Sequence, residues 1–291
     1  MRASFVLRAS LLLAALGCSG NVANAAAADC DRECLRGFLT DYLNALVMHK
    51  PDMLPVATNV RFTEDSVEMR PGEGLWENAS RLRTYRQDVL DVRQGVAASQ
   101  VVMEEGSSPV LLVLRLKVVA KKITEIETMV TRSQKEGALF KIDALQTPGT
   151  TMALVPEPSL LATRAEAIKL ASFYPAGLKL GSFTAMNTPF AGDAYRVENG
   201  VITAGTGCSR AGCENMKTQT IIKHPAIKSQ VKAVDAELGI VLLRMNFGDT
   251  GSYGPGNALI VWEAFKVYDH AIHAVEAFMK VMPATTGSGW D

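Results

Sequence analysis

Apolar residues recur at helical spacing just after Cys30 and at alternating spacing through much of the chain that follows. The helical pattern predicts a helix from Cys30 to about Lys50, built on these apolar residues: Leu35, Phe38, Leu39, Tyr42, Leu43 and Leu46. Residues 59–76 predict two short strands around a turn, and residues 77–91 a second helix. Three strands are then predicted, at 95–104, 109–119 and 123–131.

The second half begins after residues 147–160, where several prolines and a glycine predict a linker. A helix follows from residue 163 at least to Phe173, because Pro175 disfavours helical backbone at Tyr174. Residues 193–202 predict a strand and a turn, and residues 213–223 a short helix. Strands are predicted at 239–247, 258–267 and 271–282.

Four short phrases of the first half return in the same order in the second half, which predicts an internal duplication. The pairs are RFTEDSV at 61 with RVENGV at 196, ENASRL at 77 with ENMKTQ at 214, DVRQGV at 91 with DAELGI at 235, and LKVVAKKITEIE at 116 with FKVYDHAIHAVE at 265. The pairing places Glu127 opposite Glu276 and Arg61 opposite Arg196, and we assign these repeated residues to the scaffold first.

The repeated unit resembles the nuclear transport factor two-like superfamily, which includes SnoaL-like polyketide cyclases and ketosteroid isomerases. The resemblance is carried by CDRECL…YLNALVMHKPDMLP, VRFTEDSVEMRPGEGLW and LRLKVVAKKITEIET, which are typical of exported SnoaL-like proteins. It implies an α+β fold of two cone-shaped units, residues 30–146 and 161–283, each a curved antiparallel sheet wrapped on helices. Such units usually pair through their sheets, so we expect an intrachain pseudo-dimer, either monomeric or assembled into a homo-oligomer.

The first 25 residues have the layout of a secretory signal peptide. Two arginines precede a short apolar run, and Ala23–Ala25 offers a cleavage site. Cys18 as a lipoprotein cysteine is the alternative. No other apolar run is long enough to span a bilayer, so we expect a secreted or periplasmic protein without a membrane partner after cleavage. We assign residues 284–291 to a C-terminal tail.

Charge and cysteine content narrow the partners further. Thirty basic residues balance thirty acidic ones, so no net field attracts nucleic acid. In an oxidising compartment the four remaining cysteines favour disulfides, and the short spacings suggest Cys30–Cys34 and Cys208–Cys213. A zinc site is the rival interpretation, although the spacing does not match zinc-knuckle motifs.

The strongest candidate for chemistry is Glu263. In the duplication it replaces Leu114 on an apolar strand face, where the pKa of a carboxylate should rise toward neutrality. The alternatives are a misassigned strand face or a salt bridge to a nearby arginine. His273 is the second candidate, against the alternative of a core histidine. Asp249 and Tyr253 lie in the glycine-rich loop 248–257, which is either a cavity rim or a plain hairpin.

Aromatic residues supply possible ligand-binding surface, although each is equally compatible with ordinary core. They are Tyr42, Trp76, Tyr85 and Trp262. No phosphate-binding loop, dinucleotide fingerprint or nucleophile elbow is present, so we expect no cofactor and no metal. The sequence thus predicts a protein for a small apolar, oxygenated ligand, either a cofactor-independent lyase, isomerase or cyclase, or a non-catalytic ligand- or protein-binding module.

Overall fold

The computed structural model describes residues 30–287 and residue 290. The predicted signal peptide and Cys18 lie outside these residues. The first unit opens with helix α1 (Arg32–Val47), which Asp31 caps by accepting a hydrogen bond from the Cys34 amide. Six strands follow: β1 (Val56–Glu64), β2 (Val67–Met69), β3 (Ala79–Asp91), β4 (Val96–Glu105), β5 (Ser108–Val119) and β6 (Lys122–Thr131). Single 3-10 turns lie at Pro51–Met53 and Gly74–Glu77.

The second unit has the same plan. Two short helices of the connecting chain, α2 (Gln134–Gly137) and α3 (Thr150–Ala153), precede it, with 3-10 turns at Ile142–Ala144 and Pro158–Leu160. Its own helices are α4 (Arg164–Leu180) and α5 (Phe183–Met186). Its strands are β7 (Phe190–Glu198), β8 (Val201–Gly205), β9 (Lys228–Asp235), β10 (Ile240–Asn246), β11 (Asn257–Tyr268) and β12 (Ala271–Pro283).

The two sheets have the same topology, which confirms the tandem α+β fold. The strand orders are β2-β1-β6-β5-β4-β3 and β8-β7-β12-β11-β10-β9. All neighbouring pairs are antiparallel except β1 with β6 and β7 with β12, which are parallel. The sheets are therefore mixed, and this corrects the purely antiparallel sheet of the prediction.

The predicted helix at residues 77–91 is wrong, because this segment is strand β3. Its alternate residues face two different cores: Leu90 packs inside the first unit, whereas Tyr85 and Val89 pack between the units. The pairing of ENASRL with ENMKTQ is also wrong, since residues 213–223 form turns and not the predicted short helix. Strand β9, which is the counterpart of β3, begins only at Lys228.

Helix α4 continues through Pro175 to Leu180, beyond the predicted limit at Phe173. Pro175 is buried, and the packing of this helix face in the second unit outweighs the backbone hydrogen bond that proline removes. Gly181, with a positive φ of 83°, ends the helix.

Three apolar cores hold the molecule together. One lies inside each unit, where α1 or α4 packs on one face of the sheet. The third joins the opposite faces of the two sheets and includes Tyr85, Trp262 and Phe278. The sheets thus pair within one chain, as the resemblance implies. Among the described residues, no helix is long and apolar enough to cross a membrane.

Candidate functional site

Strand β11 carries Glu263 into the core of the second unit. The predicted alternation holds: Val261, Phe265 and Val267 belong to that core, whereas Lys266 lies on the opposite face. Glu263 has no solvent exposure. Its Oε1 accepts a hydrogen bond from the Tyr174 hydroxyl at 3.3 Å, while its Oε2 has no hydrogen-bond partner in the described part of the chain.

Behind Tyr174 lies a buried arginine. The Nη1 of Arg196 donates to the Tyr174 hydroxyl at 3.0 Å, its Nε donates to Thr203 Oγ1 at 2.8 Å, and its Nη2 donates to Gln219 Oε1 at 3.2 Å. The carboxylate of Glu198 lies 3.3 Å from the same guanidinium. Three elements therefore converge: β11 supplies the carboxyl, α4 the hydroxyl and β7 the cation.

This environment shifts the acidity of the site. Burial raises the pKa of Glu263 to about 8, and the negative charge of Glu198 adds to the increase, while Arg196 and the Tyr174 hydrogen bond oppose it. Burial also raises the pKa of Tyr253, to about 12. A carboxyl group that titrates this close to neutrality can release and take up protons under ordinary conditions.

Strand register shows what these residues replace in the first unit. In the sheets, Phe62 pairs with Ile126, and Arg196 pairs with Val275. Ile126 and Val275 are equivalent residues of β6 and β12, so Arg196 stands where the first unit has Phe62. The sequence alignment of Arg196 with Arg61 is thus displaced by one residue. Arg61 lies instead over the ring of Trp290, at 4.5 Å.

Helices α1 and α4 also differ in the residues that they bury. Asp31 and Thr163 are equivalent N-caps, which makes Tyr174 the counterpart of Tyr42. In the first unit the Tyr42 hydroxyl accepts a hydrogen bond from Trp76 Nε1 at 3.1 Å and packs among apolar side chains, with the buried Glu64 nearby. The buried leucines of α1 become smaller in α4, because Leu35 and Leu39 correspond to Ala167 and Ala171.

Among the remaining predicted catalytic residues, His273 lies away from Glu263. The ring of His273 stacks on Tyr268 with centroids 3.6 Å apart, and its Nε2 contacts the Tyr268 carbonyl oxygen at 3.1 Å. Glu263 pairs across the sheet with Ala277. His273 therefore lies four residues away along β12, a distance of roughly 13 Å.

The glycine-rich loop contributes one residue to this region. Tyr253 is half-buried against the core of the second unit, and its ring lies parallel to that of His224 with centroids 6.4 Å apart. Asp249 is exposed, and its carboxylate accepts hydrogen bonds from the amides of Gly251 and Gly256. Asp249 thus shapes the loop itself.

The four predicted ligand-binding aromatics are divided among separate places. Tyr42 and Trp76 are packed edge to face in the core of the first unit. Trp262 and Tyr85 lie in the core between the units. The structure does not assemble these residues into one ligand site.

Sequence reasoning missed Tyr174 and Arg196 as site residues. Aligning the two helices through their N-caps would have revealed that Tyr174 repeats Tyr42. Arg196 had no comparable signal, because the one-residue displacement of the alignment placed it opposite Arg61. Only the pairing of β7 with β12 identifies its apolar counterpart.

The cysteines form two disulfides, Cys30–Cys34 and Cys208–Cys213, with S–S distances of 1.99 and 2.06 Å. The predicted pairing is confirmed, and these thiols are not available as zinc ligands. No group of three or more His, Cys, Asp or Glu residues suited to a metal ion occurs in residues 30–287 and 290.

Comparison with known proteins gives limited matches. Residues 161–279 match a family model described as a domain of unknown function, DUF8021. No curated protein matches the sequence. The chain therefore carries one matched domain, and that domain coincides with most of the second unit.

Among solved structures, an NTF2-like protein of unknown function from Shewanella baltica OS155 is similar, at 16% identity and a TM-score of 0.28. The match covers 42% of this chain and 98% of that one. An NTF-2 like protein of unknown function from Burkholderia xenovorans LB400 shows 8% identity and a TM-score of 0.25, with 34% and 84% covered. A de novo designed protein with a curved β-sheet shows 18% identity and a TM-score of 0.30, with 35% and 88% covered.

Proposed function

We propose that the second unit binds a small, largely apolar ligand with a carbonyl or hydroxyl group, and that Glu263 exchanges a proton with it. One observation carries this proposal: Glu263 and Arg196 occupy positions that are Leu114 and Phe62 in the core of the first unit. Buried charge is costly, so two such replacements in one core point to a function rather than to stability. The first unit then serves as the structural partner.

The chemistry follows from the arrangement of the polar groups. The free Oε2 of Glu263 takes a proton from a carbon next to the ligand's carbonyl, or donates one to its oxygen. The Tyr174 hydroxyl, backed by the Arg196 guanidinium, transfers its single hydrogen bond from Glu263 Oε1 to the ligand oxygen where negative charge develops. The reaction class is a cofactor-independent lyase, isomerase or cyclase reaction.

Binding without chemistry is the second candidate function. Arg196 already contacts Tyr174, Thr203, Gln219 and Glu198, so most of its donors are engaged within the protein. Because these donors are already engaged, Arg196 has few left for a ligand, and Glu263 alone would recognise it. The predicted export fits either function, since two disulfides are compatible with an oxidising compartment.

The test is native mass spectrometry of the purified protein to detect a retained small molecule, compared with the denatured protein. Glu263→Gln keeps the shape of the side chain but removes its acid–base chemistry. Glu157→Gln is the matched control, because Glu157 is exposed. We expect Glu263→Gln to abolish turnover of the identified ligand, while the control behaves like the wild type. If Glu263→Gln retains both binding and turnover, the proposal is wrong.

If Glu263→Gln still retains the ligand and the wild type converts none of it, the binding function replaces the catalytic one. Arg196→Met separates the roles further. It removes the cation behind Tyr174 while Glu263 remains, so a loss of turnover with retained binding would assign the guanidinium to stabilisation of developing charge.

A further inference from the structure

A second polar region lies outside the interior of the second unit, on the opposite face of β12. Glu276 is 3% exposed, whereas its neighbours Val275 and Ala277 point into the core of the second unit. Glu276 lines a cleft of about 490 Å³ between strands β7 and β8 and the segment 141–150. This volume is within the range of small-molecule sites.

The Glu276 carboxylate is held by three neutral donors. The Tyr85 hydroxyl donates to Oε2 at 2.8 Å, while the Tyr195 hydroxyl and the Gly149 amide donate to Oε1, each at 3.0 Å. Tyr85 comes from the first unit and Gly149 from the connecting segment, so both units and the connection build the site. Within residues 30–287 and 290, no lysine or arginine forms an ion pair with Glu276.

The equivalent residue of the first unit, Glu127, has a contrasting environment. Lys232, Arg115 and Arg244 approach its carboxylate at 3.3, 3.5 and 3.8 Å. The space beside it measures only about 10 Å³. The same position of the fold thus carries a carboxylate that three cations neutralise in a filled interface.

Two of the three cations around Glu127 have uncharged counterparts near Glu276. Arg115 pairs with Glu127 across the first sheet and Ala264 pairs with Glu276 across the second, so Ala264 is the counterpart of Arg115. In the same way Gln100 is the counterpart of Arg244, because they pair with the equivalent residues Val113 and Trp262. Two of the three positive charges are thus absent beside Glu276, and the space there is open. Lys141 also lines the cleft, without an ion pair to Glu276 in the described residues. A buried carboxylate without a cationic partner beside an open cleft is complementary to a cation from outside the protein.

We propose that this cleft is a second small-molecule site, and that it binds the primary ammonium group of an amine against Glu276. The apolar body of the amine lies against Leu145 and Ile202, which line the same cleft. Ile202 is 42% exposed, so its side chain is accessible to a ligand in the cleft. The loop wall at Gly207 and Ser209 is fixed by the Cys208–Cys213 disulfide. This inference does not depend on the proposed role of Glu263.

Benzylamine at neutral pH, where it is an ammonium ion with an apolar ring, is the probe. Its binding is followed by isothermal titration calorimetry and by saturation-transfer NMR, with benzyl alcohol as the neutral probe of the same shape. We expect benzylammonium to bind the wild type with a Kd of about 1–10 mM, as suits a ligand of this size. Benzyl alcohol should bind at least tenfold more weakly, since it lacks the charge.

Two variants locate the binding. Glu276→Gln removes the charge and should weaken benzylammonium binding at least tenfold, without changing the weak binding of benzyl alcohol. Ile202→Trp fills the cleft at an exposed position and should weaken both probes while leaving the protein folded. Circular dichroism verifies folding in each case. The inference is overturned if benzylammonium does not bind, if neither folded variant weakens it, or if Glu263→Gln weakens it as much as Glu276→Gln does.

Discussion

Asp91 and Asp235 are equivalent residues of the two units, and each binds the first helical arginine of the other unit. Arg32 donates to both carboxylate oxygens of Asp235 at 2.7 and 2.9 Å, and Arg164 donates to those of Asp91 at 2.9 and 2.7 Å. Each carboxylate also accepts the backbone amide of Leu90 or Val234, from the strand of the opposite unit. This reciprocal contact is typical of a two-fold interface, here within a single chain.

The reciprocal ion pairs should hold the two units together. Asp235 has no exposed surface, so Asp235→Ala leaves Arg32 and the Leu90 amide without their buried acceptor. We expect a loss of about 3 kcal/mol in the free energy of unfolding, measured by urea denaturation. Asp91→Ala should cost a similar amount because the contact is symmetric.

Asp143→Ala is the control for these two variants. Asp143 also pairs with an arginine, Arg83, at 3.0 Å, but its side chain is 88% exposed. It should change the free energy of unfolding by less than about 1 kcal/mol. Equal effects of Asp143→Ala and Asp235→Ala would contradict the role assigned to the reciprocal pairs.

The duplication was predictable because apolar and polar residues alternate regularly in strands β4–β6 and β10–β12, and because the connecting loops retain recognisable sequence segments. Strand β3 was not, since its buried residues are divided between two cores and the polar residues between them mimic a helix face. Helix α4 was underestimated at Pro175, where tertiary packing overrides a local preference. Local patterns predicted the elements best where one face of an element meets one core.

The two predicted catalytic residues should respond differently to substitution. His273 is half-buried, its ring stacks on Tyr268, and burial lowers its pKa. It also lies away from the interior that contains Glu263. We expect His273→Ala to change turnover less than about twofold and Glu263→Gln to reduce it about 100-fold or more. The measurement is kcat on the ligand identified by mass spectrometry. A large loss with His273→Ala and a normal kcat with Glu263→Gln would reverse these assignments.

Glu263 should also make the stability of the protein depend on pH. Its pKa is about 8 in the folded protein, compared with an ordinary value of 4.5. Below pH 4.5 both states hold the proton, whereas between 4.5 and 8 only the folded state does. The contribution of Glu263 to stability therefore falls as pH rises through this window, by up to ~5 kcal/mol.

Urea denaturation at pH 5, 6.5 and 8 tests this dependence. Relative to the wild type, Glu263→Gln should gain stability progressively as pH rises, because glutamine has no proton to lose. Glu157→Gln should follow the wild type at all three values, since Glu157 is exposed. A difference between wild type and Glu263→Gln that stays constant with pH would show that Glu263 titrates normally.

Only part of the candidate site could be predicted from the sequence. Glu263 was identified because it and its counterpart Leu114 occupy equivalent positions on strands whose core-facing side is clear from the alternation of apolar residues. His273 falls at a register shift between β11 and β12, where the alternation that placed it on the apolar face breaks down. Tyr174 and Arg196 approach Glu263 from a helix and from a strand that is distant in sequence. Contacts of this kind depend on how the sheet curves around the helix, which sequence periodicity does not report.

Restoring the residues of the first unit should separate stability from function. The double variant Glu263→Leu with Arg196→Phe rebuilds the apolar pair of Leu114 and Phe62 in the second unit. Replacement of buried charged groups by packed apolar ones is often neutral or stabilising by about 1–4 kcal/mol, so the free energy of unfolding should be unchanged or higher. Each single variant should be less stable than the double, because it leaves the other charge in a changed network. The double variant should lose the retained ligand in native mass spectrometry. If it unfolds instead, or is several kcal/mol less stable than the wild type, the polar network is a structural requirement of the second unit and not a site that the duplication acquired for a ligand.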